Sequence, residues 1–348
     1  MTGMKRVKTA ALGLIVASLA CASPGIAQEK VKIRFAGAYS NTHYISKEGP
    51  QYWMGKVEEA LGDRINFEYF PAQQLGKSAD MLSLLESGAA DVALTSPAYI
   101  GDRLALAQVA ELPGLPGSLC DSTAAFWALA AEGEVLDKEV FAPNGIKPLF
   151  AAGVGLNKLY TTTHAVETLD DIAGMKLRAA GRVIVHTIEA LGAVPVQIAG
   201  PETYQAVTRG TVDGAAWTPL SIKPYDLQHV FKYGTDGVTL GGFIVIYSMN
   251  RDVWNGLDED VKTILQETGM EASRHLCTHV DESSQAVQDE LVEKEQVAFT
   301  ILEGEEKARW DEKLTQVREA WADELQSRGR PAFDVLKAFN EALASEVR

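Results

Sequence analysis

Apolar and polar residues alternate along Val31-Lys32-Ile33-Arg34-Phe35-Ala36 and again along Ile65-Asn66-Phe67-Glu68-Tyr69-Phe70. This period of two predicts strands with one buried face. Between them, Tyr39 to His43 is polar and loop-like, and a helix is predicted from about Ile45 to Leu61. Ser78 to Ser87 reads as a helix whose apolar face is Met81, Leu82, Leu84 and Leu85, closed by Gly88 at the C′ position. Asp91 to Thr95 is a short buried strand. This βαβα order implies a mainly parallel sheet covered by helices.

The pattern returns later. Strands are predicted at Lys147 to Gly153, Lys176 to Ala179, Val194 to Ile198, Asp213 to Trp217 and Phe243 to Asn250. Helices are predicted at about Arg182 to Leu191 and Pro201 to Arg209. From Asp258 to Lys294 the texture changes. Val261, Ile264, Leu265, Ala272, Leu276, Val280, Val287 and Leu291 recur at three- and four-residue steps, one face of a helix. At 1.5 Å per residue it spans about 50 Å, too long for one small domain, so it is expected to lie across two. Helices over about 305–327 and 331–346 finish the chain.

The chain has 348 residues. Without its leader it still exceeds the usual size of a single core, which predicts two domains. The leader itself is a targeting signal. Lys5, Arg6 and Lys8 form a basic region, Ala10 to Ala20 is apolar, and small residues precede a cleavage expected after Ala27. A lipoprotein cleavage at Cys21 is the alternative, with Ser18 where such a signal prefers Leu. Removal of three cations moves the formal charge from −15 to −18. That acidity argues against nucleic acid and anionic membrane as partners. Cys120 and Cys277 either pair in an oxidising compartment or serve as small buried apolar residues.

Catalytic patterns are missing. There is no G-x-S-x-G elbow, no H-E-x-x-H and no phosphate-binding loop. His275 and His279 stand four apart on a helix, but no acid or cysteine completes a metal set. Asp170-Asp171 and Glu305-Glu306 read as helix N-terminal acids favoured by the dipole. The sequence therefore points to a binding protein without cofactor or metal. Arg178 ends a predicted strand, where ligands sit in open α/β sheets. Its neighbours Met175, Leu177, Ala179 and Ala180 are apolar, so a partly buried guanidinium in need of an anion is expected. Trp217 follows a Gly-Ala-Ala run whose small residues allow close approach.

Five segments, in order, resemble the periplasmic solute-binding proteins of tripartite ATP-independent periplasmic (TRAP) transporters, of the dicarboxylate-binding DctP type. They are Phe70 to Lys77 (F-P-x-x-Q-L-G), Leu85 to Ala93, Leu169 to Arg178 (D-x-x-G-x-K-x-R), Leu191 to Val196 and Gln205 to Gly214. The resemblance implies a two-domain α/β periplasmic-binding-protein fold of the Venus-flytrap kind, with a long helix spanning both domains. The expected division is 28–152 with 243–272 against 153–242 with 285–348, the helix 258–294 lying between. It implies a periplasmic monomer that binds a small organic acid in the interdomain cleft and delivers it to the small and large membrane subunits of the permease. An exported enzyme and a sensor-coupled binding protein are the alternatives on this scaffold.

By resemblance, Arg178 binds the ligand carboxylate and Trp217 packs on its carbon skeleton. Lys158 aligns with a second Arg of the sialic-acid binders, and either turns into the cleft or faces solvent. Those binders carry Asn where Trp217 stands, which argues against a sugar acid. Ala216 replaces the Glu with which some 2-keto-acid binders hold a metal, so no metal is expected. Asn41, His43 and Tyr44 in the first loop, Lys77 after the Q-L-G signature, and Ser96 and Tyr99 after the third strand fall where relatives line the cleft.

Overall fold

The structure, a computed structural model, describes residues 1–3 and 30–346. The leader, Cys21 and the cleavage position after Ala27 lie outside the described residues. No helix among the described residues is long and apolar enough to cross a membrane.

Eleven strands are described: β1 (Val31–Ala36), β2 (Ile65–Phe70), β3 (Val92–Leu94), β4 (Ile146–Leu156), β5 (Lys158–Thr161), β6 (Lys176–Ala179), β7 (Val194–Gln197), β8 (Gly214–Trp217), β9 (Tyr233–Asp236), β10 (Gly242–Asn250) and β11 (Ala298–Ile301). They form two sheets, ordered β2-β1-β3-β10-β4 and β11-β9-β5-β8-β6-β7. Both are mixed, where the sequence suggested mainly parallel. In the first, β1 runs parallel to β2 and β3, but β10 is antiparallel to β3 and β4. The cause is the route of the chain. It leaves the first sheet along β4, builds most of the second, and returns along β10 in the opposite sense.

The first sheet and its helices enclose one large core, with Phe35, Trp53, Phe150 and Tyr247 at its centre. The second sheet has a core on each face. One gathers Leu177, Ala179 and Ala216, the other Tyr160, Ala215 and Trp217. This division follows from strand alternation, in which neighbouring residues point to opposite faces.

The helix Glu259–Glu293 spans both units. Its Val261, Leu265, Leu276 and Val280 bury in the first core, and Leu291 in one core of the second sheet. Gly269, the one interruption in its apolar stripe, has a packing reason. A Cβ there would stand 2.1 Å from the carbonyl oxygen of Leu149, so glycine lets the helix rest directly on β4. Cys120 and Cys277 are joined by a disulfide with Cα atoms 5.1 Å apart. It ties this helix to the helix Leu119–Ala130.

The C-terminus departs from the expected division. The helix Gly304–Ser327 also bridges the units, burying Trp310 and Leu314 in the second and Trp321 and Leu325 in the first. It carries the chain back, so the helix Ala332–Glu346 packs Val335, Phe339 and Leu343 into the first core and not the second.

Candidate functional site

Arg178 lies mid-sheet on β6, opposite Val196 of β7 and Ala215 of β8. Leu177 and Ala179 turn into one core, so Arg178 emerges on the other face, shared with Ala215 and Trp217. Its side chain is 4% exposed. Nε donates to the Ile198 carbonyl at 2.9 Å, and Nη1 donates to the Ala216 carbonyl at 3.3 Å. The guanidinium carbon sits 4.4 Å from the centroid of the Trp217 ring. Burial holds its pKa down to about 10, with the Tyr99, Tyr225 and Tyr39 hydroxyls opposing. It therefore remains a cation at neutral pH. A guanidinium has five N–H donors. Two are held by carbonyls and the remainder turn toward Tyr99 and a cavity.

That cleft lies between the two sheets. From the first unit come Tyr39, Tyr44, Ile45 and Tyr99, and from the crossing strands Val154 and Phe243. The second unit supplies Asn157, Arg178, Ala180, Gly200, Trp217, Thr218, Ser221 and Tyr225. Arg178 is the only one of these charged at neutral pH. Burial raises the pKa of Tyr44 to about 12 and also raises those of Tyr39, Tyr99 and Tyr225. These hydroxyls therefore act as neutral donors and acceptors. Tyr225 meets Trp217 edge-on, with ring centroids 5.5 Å apart.

The two units are drawn together around it. Tyr44 Oη donates to the Val154 carbonyl at 2.8 Å and lies 3.3 Å from Ser221 Oγ. At one rim Arg182 pairs with both Asp102 and Glu324. Beside it Gly181, at φ +78°, approaches Ala98 so closely that a Cβ would lie 2.7 Å from the Ala98 Cα. At the crossing, Asn157 Nδ2 donates to the carbonyls of Gly241 and Gly242 at 3.0 and 3.3 Å, stapling the end of β4 to the start of β10.

Of the residues singled out from sequence, Arg178, Trp217, Tyr44 and Tyr99 line the cavity. His43 stands behind the wall, stacked between Tyr39 and Tyr44 at 4.8 and 4.7 Å. Its Nδ1 accepts from the Ile45 amide at 3.2 Å, and burial pushes its pKa down to about 4. The buried Nε2 of His43, like Nε1 of Trp217, has no partner among the described residues.

The others lie elsewhere. Lys158 Nζ pairs with Asp236 at 2.7 Å and donates to Gln288 of the long helix, which pulls the ammonium away from the cavity. Ser96 Oγ is buried and donates to the Ile244 carbonyl at 2.6 Å. Lys77 is exposed at the start of a helical turn, its amide donating to Asp80 at 3.3 Å. Asn41 is exposed, its carbonyl accepting from Gln51 at 2.9 Å. Tyr39, Asn157, Thr218, Ser221, Tyr225 and Phe243 line the cavity without having been marked from sequence. Thr218 directly follows Trp217, and Tyr39 opens the polar first loop; both positions carried a signal. Tyr225 sits among short 3₁₀ turns that show no periodicity.

The chain is 27% identical over 328 residues to the C4-dicarboxylate-binding periplasmic protein DctP of Rhodobacter capsulatus, covering 92% of this chain and 95% of that one. A TRAP solute-binding protein from Rhodoferax ferrireducens, solved with copurified benzoate, superposes with a TM-score of 0.83 at 22% identity, covering 91% of this chain and 99% of its own. A marine metagenome TRAP solute-binding protein specific for aromatic acid ligands, solved with 3-hydroxybenzoate, gives 0.83 at 20% identity over 92% and 100%. At these identities the two structures speak for the fold. The family model for bacterial extracellular solute-binding protein, family 7 (DctP), matches residues 35–324, and the chain belongs to that family.

Proposed function

We propose that the protein is the periplasmic receptor of a TRAP transporter, exported by a leader cleaved after Ala27, which captures an aromatic monocarboxylate. The carrying observation is Arg178, a buried cation oriented by two carbonyls and an indole, with no acid among the described residues paired to it. A buried guanidinium of this kind is completed by a planar carboxylate, which its fork meets with two parallel bonds. Trp217, Tyr225, Tyr39 and Phe243 supply flat apolar walls, and the neutral hydroxyls of Tyr44, Tyr99 and Ser221 suit one further polar group. A second carboxylate would find no second cation, because Lys158 is engaged by Asp236. The benzoate and 3-hydroxybenzoate of the solved neighbours match this reading, and the C4-dicarboxylates of the Rhodobacter relative do so only at one end.

Closure of the two units buries the acid and presents a joint surface to the small and large permease subunits. The protein acts as a monomer without cofactor or metal, and performs no reaction. Supporting this, the family is one of solute-binding proteins, and its C4-dicarboxylate-binding member from Rhodobacter capsulatus matches over 92% of this chain. Isothermal titration with benzoate and succinate tests the reading. Benzoate is expected to bind, succinate to bind at least about tenfold more weakly, and Arg178→Ala to abolish detectable benzoate binding. Unchanged benzoate affinity in Arg178→Ala would overturn it.

A further inference from the structure

Two short segments meet across one rim of the cleft. In the second unit, residues 178–182 run from Arg178 through the cleft-lining Ala180 to Gly181 and Arg182, which open the helix Gly181–Ala190. In the first unit, residues 98–102 run from Ala98 through the cleft-lining Tyr99 to Asp102. Gly181 rests against Ala98. Arg182 donates from Nη2 to Asp102 Oδ1 and from Nη1 to Glu324 Oε1. Glu324 is held by the first unit, because Trp321 and Leu325 on either side of it bury in the first core. Arg328 braces both acids, pairing with Asp102 at 3.3 Å and with Glu324 at 2.7 Å. Arg182 is thus a cation of the second unit seated on an acid pair of the first. At Tyr44 and Ser221 the units meet instead through neutral hydroxyls.

We propose that Arg182 is a positioning residue for ligand retention, an ionic latch that holds the cleft closed and so sets the rate at which bound acid escapes. The proposal rests on the receptor reading above, since retention requires an acid in the cleft. Each of the two segments carries a cleft-lining residue and a latch residue close together in the chain, Tyr99 with Asp102 and Arg178 with Arg182. An acid that engages Arg178 and Tyr99 therefore draws Arg182 onto Asp102. Arg182 does not itself line the cleft, so its removal leaves the ligand's own contacts in place. An isolated surface pair contributes little, but here one guanidinium is shared between two acids that a second arginine braces, and such networks are the exception. The Arg182 and Glu324 side chains are only 22% and 25% exposed, which limits screening by solvent and salt. Acid enters the open form, in which the latch is unmade, so the effect falls on departure and not on arrival.

The test is stopped-flow tryptophan fluorescence of benzoate association and dissociation in wild type, Arg182→Ala and Arg182→Lys, with melting curves to establish folding. Arg182→Ala is expected to release benzoate about three- to fivefold faster, with association changed by less than about twofold. Arg182→Lys keeps the charge but loses the planar fork that reaches two acids, and should fall between. Raising the salt from about 0.05 M to about 0.5 M should speed release from wild type, and that effect should be lost in Arg182→Ala. Spin labels on Lys77→Cys and Glu202→Cys, one exposed position in each unit, report the separation of the units with and without benzoate. Arg182→Ala is expected to populate the wider separation more than wild type. Release accelerated by less than about twofold, with matching label distances, overturns the latch and leaves the carboxylate reading intact. Failure of benzoate to bind wild type overturns the carboxylate reading, and the label distances without ligand then decide the latch alone. A wider separation in Arg182→Ala supports it, and matching distributions overturn it.

Discussion

The Arg178 guanidinium lies over the Trp217 ring, its carbon 4.4 Å from the ring centroid, a contact created by strand register. Ala215 is the partner of Arg178 across the β6–β8 ladder, and Trp217 lies two residues further on the same face. This contact and the two carbonyl hydrogen bonds orient the fork before any ligand arrives. Arg178→Lys keeps the charge but loses the bidentate fork and the planar contact. It is expected to weaken benzoate binding by about 1.5–3 kcal/mol, the worth of a hydrogen bond to a charged group. Trp217→Leu should cost about 0.5–2 kcal/mol by loss of the cation–π contact alone. A double-mutant cycle by calorimetry checks the coupling. If the two losses simply add, the indole does not orient the guanidinium.

Lys158 tests the opposite expectation. Its ammonium bridges Asp236 on β9 and Gln288 on the long helix, and Gln288 Nε2 donates to the same Asp236 oxygen at 2.7 Å. Lys158→Ala is therefore expected to leave benzoate affinity within about twofold. It should lower stability by about 1–2 kcal/mol, between the worth of an exposed pair and the cost of orphaning a buried one. Parallel calorimetry and urea unfolding separate the two effects. A loss of affinity with unchanged stability would return Lys158 to the ligand site.

What the sequence revealed and what it concealed divide along physical lines. The burial of Arg178 was legible because apolar residues, Leu177 and Ala179 among them, flank it on both sides. The long helix was legible from its apolar stripe, and its crossing of both units from its length. The fate of Lys158 was not, because Asp236 is 78 residues away and only the β5–β9 ladder brings it near. Tyr225 and Phe243 escaped for a related reason. One stands among irregular 3₁₀ turns and the other opposite a bulge, where side-chain direction follows from the fold. The last helix was assigned to the wrong unit because the helix before it crosses the molecule.

The disulfide closes a separation of 157 residues between the helix Leu119–Ala130 and the long helix. Bridges over long loops constrain the unfolded chain most, and removal is expected to cost about 2–4 kcal/mol. The double substitution Cys120→Ser and Cys277→Ser should lower the melting temperature accordingly, and a reductant should have little further effect on that variant. Neither cysteine lines the ligand cavity, so benzoate affinity measured below the transition should be retained. A variant that melts with wild type would show the bridge to be dispensable.

Glu111 gives a pH dependence whose sign follows from its surroundings. It is 3% exposed beside the start of β10, and its Oε1 accepts from the Ile244 amide at 3.4 Å. Burial pushes its carboxyl up from the usual 4.5 to about 8, only partly opposed by that bond. Between those values the folded protein retains a proton that the unfolded chain has released. Stability from this group is therefore fully present below about 4.5, falls as pH rises, and is lost once pH passes about 8. Glu111→Gln keeps an acceptor for the Ile244 amide and removes the ionisation. Its melting temperature should match wild type at pH 4 and exceed it at pH 8 and above, the gap opening between. Other titrating groups are common to both proteins and cancel in the difference. Melting curves from pH 4 to pH 9 check this, and a gap that does not vary with pH would show that Glu111 stays ionised in the fold.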